Sequence, residues 1–274
     1  MDPDRIAELL TPFFETPAAE SETLSARQLD QISIYIDLLL RWNARINLTA
    51  IRNPEEIVTR HFGESLFAAR FLLPCDAGTL ARVPPAVEGP SKTGMTDVLP
   101  VGLYAEVRDQ QNVPQTSIPD ADQGGTPPVA PHSKQLGSVV DLGSGAGFPG
   151  LPIKIWSPHT PVTLVESNQK KVAFLREVIR ALTLTDINVF PRRAEDYPAA
   201  SASLLTLRAV ERFEVILPAA ARLVFPGGSL ALLIGQSQVA QPQTLLPTFQ
   251  WRNPFPIPLS TSRVLIHGTR AQEA

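Results

Sequence analysis

Apolar side chains recur at three- and four-residue steps in the first part of the chain and in short β-branched runs after residue 137, which predicts helices first and strands later. Residues 6–14 carry helical spacing. Beyond a loop at Pro17, Ser25 is placed to cap a longer helix, whose positions Leu29, Ile32, Ile36, Leu39 and Leu40 form one buried face. The stripe breaks in residues 41–51, RWNARINLTAI, at Asn43 and Asn47. There Asn47-Leu48-Thr49 is expected to be a turn held by side-chain hydrogen bonds. Trp42 continues the helical face and reads as core. Asn53-Pro54-Glu55-Glu56 then supplies a cap, a first-turn proline and two acids to another helix, along which lie Ile57, His61, Ser65 and Leu66.

From Gly137 the period changes. Val139 and Val140 run into Asp141 and the series Gly143, Gly145, Gly147, Gly150 in VVDLGSGAGFPG. A helical stretch at 151–156 stops at Pro158, and Val162, Leu164 and Val165 form a second strand ending at Glu166. The next helix buries Val172, Phe174, Leu175, Val178, Ile179 and Leu182. A third strand, 187–190, leads into Arg192-Arg193-Ala194-Glu195-Asp196, and a fourth, 204–207, ends at Arg208. A helix over 215–224, a turn at Pro226-Gly227-Gly228, a fifth strand at 230–234 and a final antiparallel strand at 262–267 complete at least six strands. The sheet is expected to be mostly parallel.

Between the two patterns, residues 74–134 hold ten prolines and six glycines and show no sustained period, apart from a short segment at 98–107. A connection that long is rare inside a compact domain, so it reads as an insertion joining two folded parts. The expected organisation is a helical region over 1–73, a flexible Pro/Gly-rich insertion over 74–136 and an α/β domain over 137–274.

A strand followed at once by glycines is the opening of a nucleotide-type site, because glycine tolerates positive φ and close ligand approach. Glu166 lies at the distance downstream where an acid meets a ribose hydroxyl pair. The polar turn at residues 192–196 is placed to meet an adenine edge. Spacing alone leaves a dinucleotide and S-adenosyl-L-methionine both open.

Composition narrows the chemistry. The formal net charge of −3 does not advertise nucleic-acid binding, although a local basic face can coexist with it. A single cysteine, Cys75, excludes an intrachain disulfide framework and a cysteine-rich zinc site. The four histidines, His61, His132, His159 and His267, show no metal-ligand spacing. The opening residues MDPDRIAELL lack a basic-then-apolar leader, and no apolar run reaches membrane-spanning length, so a reduced cytoplasmic setting is expected.

Four segments together are distinctive: residues 38–66, LLLRWNARINLTAIRNPEEIVTRHFGESL; 139–158, VVDLGSGAGFPGLPIKIWSP; 162–184, VTLVESNQKKVAFLREVIRALTL; and Arg193-Ala194-Glu195 followed by LRAV at 207–210. On these the chain resembles the bacterial glucose-inhibited division protein B family, methyltransferases acting on N7 of a guanine in 16S rRNA. The resemblance implies a doubly wound, mostly parallel, seven-stranded sheet of the methyltransferase (Rossmann-like) type, preceded by a small helical region. It implies S-adenosyl-L-methionine as cofactor, with Gly143, Gly145 and the backbone near Phe148 around its methionine and ribose. Glu166 would stand close to the ribose, Ala194 and Glu195 would meet the adenine, and Arg208, the candidate catalytic residue, would sit beside the cofactor. Asn43, Asn47, Thr49 and His61 would face the shared cleft as substrate contacts, joined by Lys170 and Lys171. The partner implied is 16S rRNA or the small ribosomal subunit, with a monomeric protein, no metal and no membrane.

Two positions depart from the family pattern: Ser203 where an acid usually opens the fourth strand, and Ile234 where a lysine usually stands. The missing lysine bears on an RNA contact, and neither change touches the glycine turn. An acidic protein must concentrate its cations to hold RNA, and Lys154, Lys170, Lys171, Arg176, Arg192, Arg193 and Arg208 are the candidates for such a rim, with solvated helix surface as the alternative, above all for Arg176 and Lys154. Guanine N7 has a free lone pair and no proton to lose, so the attack needs positioning in a dry cleft and no general base. A nicotinamide-dependent oxidoreductase shares the first βαβ unit, but no Tyr/Lys or His/Asp catalytic set is evident. A non-catalytic RNA binder that kept the fold is the other alternative.

Overall fold

The computed structural model describes residues 1–15, 23–73, 137–208 and 212–272, which belong to one compact unit. The expected insertion at 74–136, with its segment at 98–107, lies outside the described residues. Helix α1, Pro3–Leu10, starts at Asp2, whose carboxylate accepts from Asp4 N–H, and tightens into a 3-10 turn, Thr11–Phe13. Pro12 sits in that turn, where it has no N–H to continue the α-helical ladder. Helix α2, Ala26–Asn43, begins at Ser25 in a reciprocal capping box with Gln28 and buries Ile32, Tyr35, Ile36, Leu38 and Leu39.

The single helix expected after Asn53 is three pieces. Asn53 caps α3, Pro54–Ile57; the chain then widens into π-helix over Val58–Gly63 and returns to α-helix as α4, Glu64–Leu72. Such widenings interrupt the regular ladder and recur at functional sites. No proline or glycine pair marks the change, so periodicity does not predict it.

The sheet runs in the order Ile187–Phe190, Val162–Val165, Val139–Leu142, Ala202–Arg208, Val224–Gly235, Arg263–Arg270, Phe249–Trp251. Strands β1 (Val139–Leu142), β2 (Val162–Val165), β3 (Ile187–Phe190), β4 (Ala202–Arg208) and β5 (Val224–Gly235) are parallel, and β8 (Arg263–Arg270) is antiparallel to β5. Strand β6 (Phe249–Trp251) and the two-residue β7 (Phe255–Pro256) pair with β8, so the sheet has eight strands against the expected seven. The extra strand is β7, which lies off the main path, within a proline-rich stretch whose pattern hides it. Strand order reverses at β1, between β2 and β4, and this is the point where doubly wound sheets open a crevice at their carboxyl ends.

The strands are covered on both faces. Val139, Leu204, Ala231 and Leu233 share one core with α1, α2, α4, helix α5 (Gly150–Trp156) and helix α6 (Gln169–Ala181). Val140, Leu205, Leu207 and Leu232 share the other with helix α7 (Phe213–Leu223). The amino-terminal helices are tied to the α/β layer by polar contacts as well. Gln28 donates to the Ile155 carbonyl at 2.7 Å, Gln31 to that of Leu182 at 3.0 Å, and the Trp42 indole to Glu177 at 3.0 Å. Among the described residues, no helix is long and apolar enough to cross a membrane.

Three local expectations change. Pro226-Gly227-Gly228 does not end an element: β5 passes through it, with Gly227 at φ +84° and the β4–β5 register shifting between Ala202 and Leu204. Glycine absorbs the irregularity without the chain leaving the sheet. Ser203 has a structural use, since its hydroxyl donates to the Ser138 carbonyl at 2.6 Å and accepts from Gly137 N–H at 3.1 Å. Ile234 is fully packed in the α7-side core.

Lys154, expected either in a basic rim or on solvated helix surface, is buried at 1% exposure, with its ammonium donating to the carbonyls of Pro158 and Thr160 at 2.7 and 2.8 Å. Its charge closes the loop after α5 and is withheld from solvent. Lys154→Met keeps the apolar stem but strands both carbonyls, and should cost about 2–4 kcal/mol in urea unfolding.

Candidate functional site

The carboxyl ends of β1, β2, β3 and β4 carry the candidate residues to one edge of the sheet. After β1 the chain turns through Gly143, Gly145 and Gly147, at φ +69°, +57° and +91°. At Gly147 a Cβ would fall 2.4 Å from Leu151 Cδ1 and 2.5 Å from the Tyr35 hydroxyl, so no other residue fits. At Gly143 a Cβ would meet nothing within 4 Å, which leaves open space beside the turn.

Two carboxylates hold this turn in place. Asp141, fully buried, accepts from the Thr206 hydroxyl at 2.9 Å and from Gly150 N–H at 3.2 Å. Burial pushes its pKa up to about 6, with the hydroxyl and backbone donors and the more distant Arg208 pulling the other way. Glu166 accepts from Gly145 N–H at 2.9 Å on one oxygen and from Asn168 N–H at 2.8 Å on the other. Each oxygen keeps a further acceptor position.

The amino-terminal helices grip the same turn. The Tyr35 hydroxyl donates to the Ala146 carbonyl, and its ring stacks on Phe148 at 5.3 Å with an interplanar angle of 5°. Phe62 meets the Phe148 ring edge-on at 5.2 Å, and His61 stacks on it at 4.7 Å. The Phe148 ring is thus enclosed by α2 and the π-helix.

Asn43, Thr49 and His61 form one hydrogen-bonded chain leading to that ring. Asn43 accepts from Leu48 and Thr49 N–H and donates to the Thr49 carbonyl, holding the expected turn from the end of α2. Thr49 Oγ1 lies 2.7 Å from His61 Nε2, and His61 Nδ1 is buried with no hydrogen-bond partner among the described residues. Burial first, then the charges of Arg208, Arg60 and Arg263, lower the His61 pKa to about 3, so the ring is neutral. Asn47 is exposed, as is Lys170, and Lys171 is half-buried; both lysine backbone N–H groups donate to the Asn168 cap of α6.

Arg208 ends β4 with Nη2 donating to the Arg60 carbonyl at 2.6 Å and to Glu64 Oε2 at 3.0 Å, and its guanidinium lies 5.9 Å from the Phe148 centroid. Glu64, also buried, takes Arg263 Nε at 2.9 Å on the same oxygen, while Arg60 Nε stands 3.5 Å from Oε1. Burial and the neighbouring Arg263 and Arg60 bring the Arg208 pKa down to about 10 against the pull of Glu64. Ala194 is buried in the 3-10 turn Ala194–Asp196, and Glu195 is exposed beside it. Arg222 of α7 fastens this turn by donating to the carbonyls of Ala194, Glu195 and Tyr197.

Sequence reasoning misses Tyr35, Glu64, Arg222 and Arg263. One signal is available for Glu64: it begins the apolar run ESLFAARFL, where a buried face has no place for an unpaired acid. Arg222 and Arg263 carry no local signal, because their partners lie far away in sequence.

A family model described as rRNA small subunit methyltransferase G matches residues 28–78 and 127–251. The ribosomal RNA small subunit methyltransferase G of Chloroflexus aggregans is 33% identical over 221 residues, covering 79% of this chain and 68% of that protein. Its counterpart from Xanthomonas campestris is 32% identical over 228 residues, covering 81% and 78%. Among solved structures, an S-adenosylmethionine-dependent methyltransferase from Aquifex aeolicus superimposes with a TM-score of 0.43 at 13% identity, over 49% of this chain and 82% of that one.

Removing the Tyr35 hydroxyl tests the grip on the turn. Tyr35→Phe keeps the ring stack and leaves the Ala146 carbonyl without its donor, which should cost about 1–3 kcal/mol in denaturant unfolding. Amide exchange should quicken at Gly145 and Gly147 before it does in β1.

Proposed function

The chain belongs to the rRNA small subunit methyltransferase G family, and from that premise we propose that it transfers a methyl group from S-adenosyl-L-methionine to N7 of a guanine in 16S rRNA. The observation that carries the cofactor assignment is the open space beside Gly143, in a turn whose Gly145 N–H is held by Glu166, a carboxylate with acceptor positions to spare. A ribose diol can donate to that carboxylate, and a bulky ligand can approach backbone that carries no side chain. In this reading Gly143, Gly145 and the backbone around Phe148 receive the methionine and ribose, the Ala194–Glu195 turn receives the adenine, and Arg208 stands beside the reacting group.

The cofactor supplies an electrophilic methyl on a sulfonium. The lone pair of guanine N7 would take that methyl with no proton to lose, so the reaction would ask for no general base. No proton moves in this step, and the site's ionisable groups suit it. His61 is neutral and enclosed, and both Asp141 oxygens already accept hydrogen bonds. The protein's work is positioning and exclusion of water. Asn47, Lys170 and Lys171 supply RNA contacts from the surface, while Asn43, Thr49 and His61 brace the wall behind Phe148. The target base is presented unpaired or flipped out, because N7 must meet the methyl in line.

Calorimetric titration with S-adenosylmethionine, its demethylated product and NAD tests the cofactor. Binding of the first two and not the third is expected; the reverse would sink the reading. Arg208→Lys, which keeps a charge against Glu64 but loses the planar fork, should slow single-turnover methyl transfer about 10- to 100-fold. Arg208→Ala is the poorer probe, because it leaves a buried carboxylate short of a partner and should cost about 3–5 kcal/mol of stability.

A further inference from the structure

We propose that Arg60, Arg208 and Arg263, gathered on Glu64, form a binding site for one backbone phosphate of the RNA substrate. This inference rests on the methyltransferase reading above and names a contact it leaves unassigned.

Three guanidinium groups share one buried carboxylate, whose Oε2 accepts from both Arg208 and Arg263. Among the described residues its Oε1 has no hydrogen bond, with Arg60 Nε standing 3.5 Å away. The next acid, Glu56, is half-exposed and stands 3.7 Å from Arg60. The Arg208 ion pair among the described residues is with Glu64, while the buried Asp141 acts on it only at a distance. Positive charge in this corner therefore outweighs what the nearest carboxylate can balance, inside a protein whose formal charge is −3.

The unused hydrogen-bond donors point to the same ligand. Arg208 spends Nη2 on two oxygens, and among the described residues its Nη1 and Nε have no acceptor. Arg263 spends Nε on Glu64 and reaches the Leu233 carbonyl only at 3.5 Å with Nη2. The Arg208 and Arg263 side chains are 10% and 19% exposed, which holds their forks rigid while leaving an approach, and Arg60 is 47% exposed at the rim.

Guanidinium forks match the tetrahedral oxygens of a phosphate in pairs. Phosphate contacts fix where a strand lies without reading its sequence. Arg208 lies over the Phe148 ring of the glycine turn, so a phosphate held here would register the strand against the cofactor edge.

The test is equilibrium binding of deproteinised 16S rRNA across a salt series from about 50 to 300 mM, with S-adenosylmethionine affinity and thermal unfolding measured on the same proteins. Arg263→Gln and Arg60→Gln should each flatten the log–log salt slope by about 0.7, the increment that one neutralised phosphate contributes on a single strand. Arg263→Lys should keep the slope and lose only part of the affinity. Cofactor affinity should stay within about twofold of the parent, below the factor of ten that a 1.4 kcal/mol contact represents. Should Arg263→Gln fail to fold, Arg60→Gln and Arg263→Lys carry the comparison. Unchanged slopes in folded Arg60→Gln and Arg263→Gln would overturn the proposal while leaving the enzyme reading intact. A drop in cofactor affinity at constant slope would also overturn it, by assigning the oxyanion to the cofactor's own carboxylate. A parental protein that binds no S-adenosylmethionine would instead remove the reading on which the proposal rests.

Discussion

The Phe148 ring, closed in by Tyr35, Phe62 and His61, is the contact on which the rest of the site depends. Glycines at 143, 145 and 147 let the chain turn tightly past an open space, but glycine also leaves a turn with many conformations to lose. The aromatic cluster restricts that freedom. Each favourable ring pair contributes about 0.5–1.5 kcal/mol beyond the area it buries. The Tyr35 hydroxyl on the Ala146 carbonyl adds a hydrogen bond that the buried loop cannot replace from water. The amino-terminal helices are therefore part of the site's wall, built from the same core as α5 and α6.

Buried charge follows the same logic. Asp141 locks β1, β4 and the first turn of α5, while Lys154 closes the end of that helix. Glu64 joins α4 to the ends of β4 and β8 through Arg208 and Arg263. An ion pair of this kind contributes little net stability, because desolvation offsets attraction, yet losing one partner is costly. What it adds is geometry: Arg208 stands where β4 ends, with its fork oriented by a carboxylate from another element.

Local sequence carries the elements whose causes are local. Ser25 with Gln28, Asn53 with Pro54, and the apolar faces of α2 and α6 announce themselves, as does the strand before the glycine series. The parallel order and antiparallel final strand follow from how βαβ units pack. Features made by distant partners are not readable in this way. The π-helix at Val58–Gly63 leaves no composition mark, and Arg263 and Glu64 meet across 199 positions. Lys154 misleads for the same reason: a lysine on a short helix looks solvated until the loop beyond it supplies two carbonyls. Ala194 and Glu195 are readable as a polar turn, but the arginine of α7 that fastens the turn is not.

If this chain methylates N7 of a guanine in small-subunit rRNA, the modification itself reports on it. N7-methylguanine can be mapped at base resolution by chemical cleavage in rRNA from cells with and without the gene. The expected result is one guanine of the small-subunit RNA that is modified with the gene, unmodified without it, and restored by the parental protein. Identical maps in the two strains, or the disappearance of a mark at an atom other than N7, would contradict it.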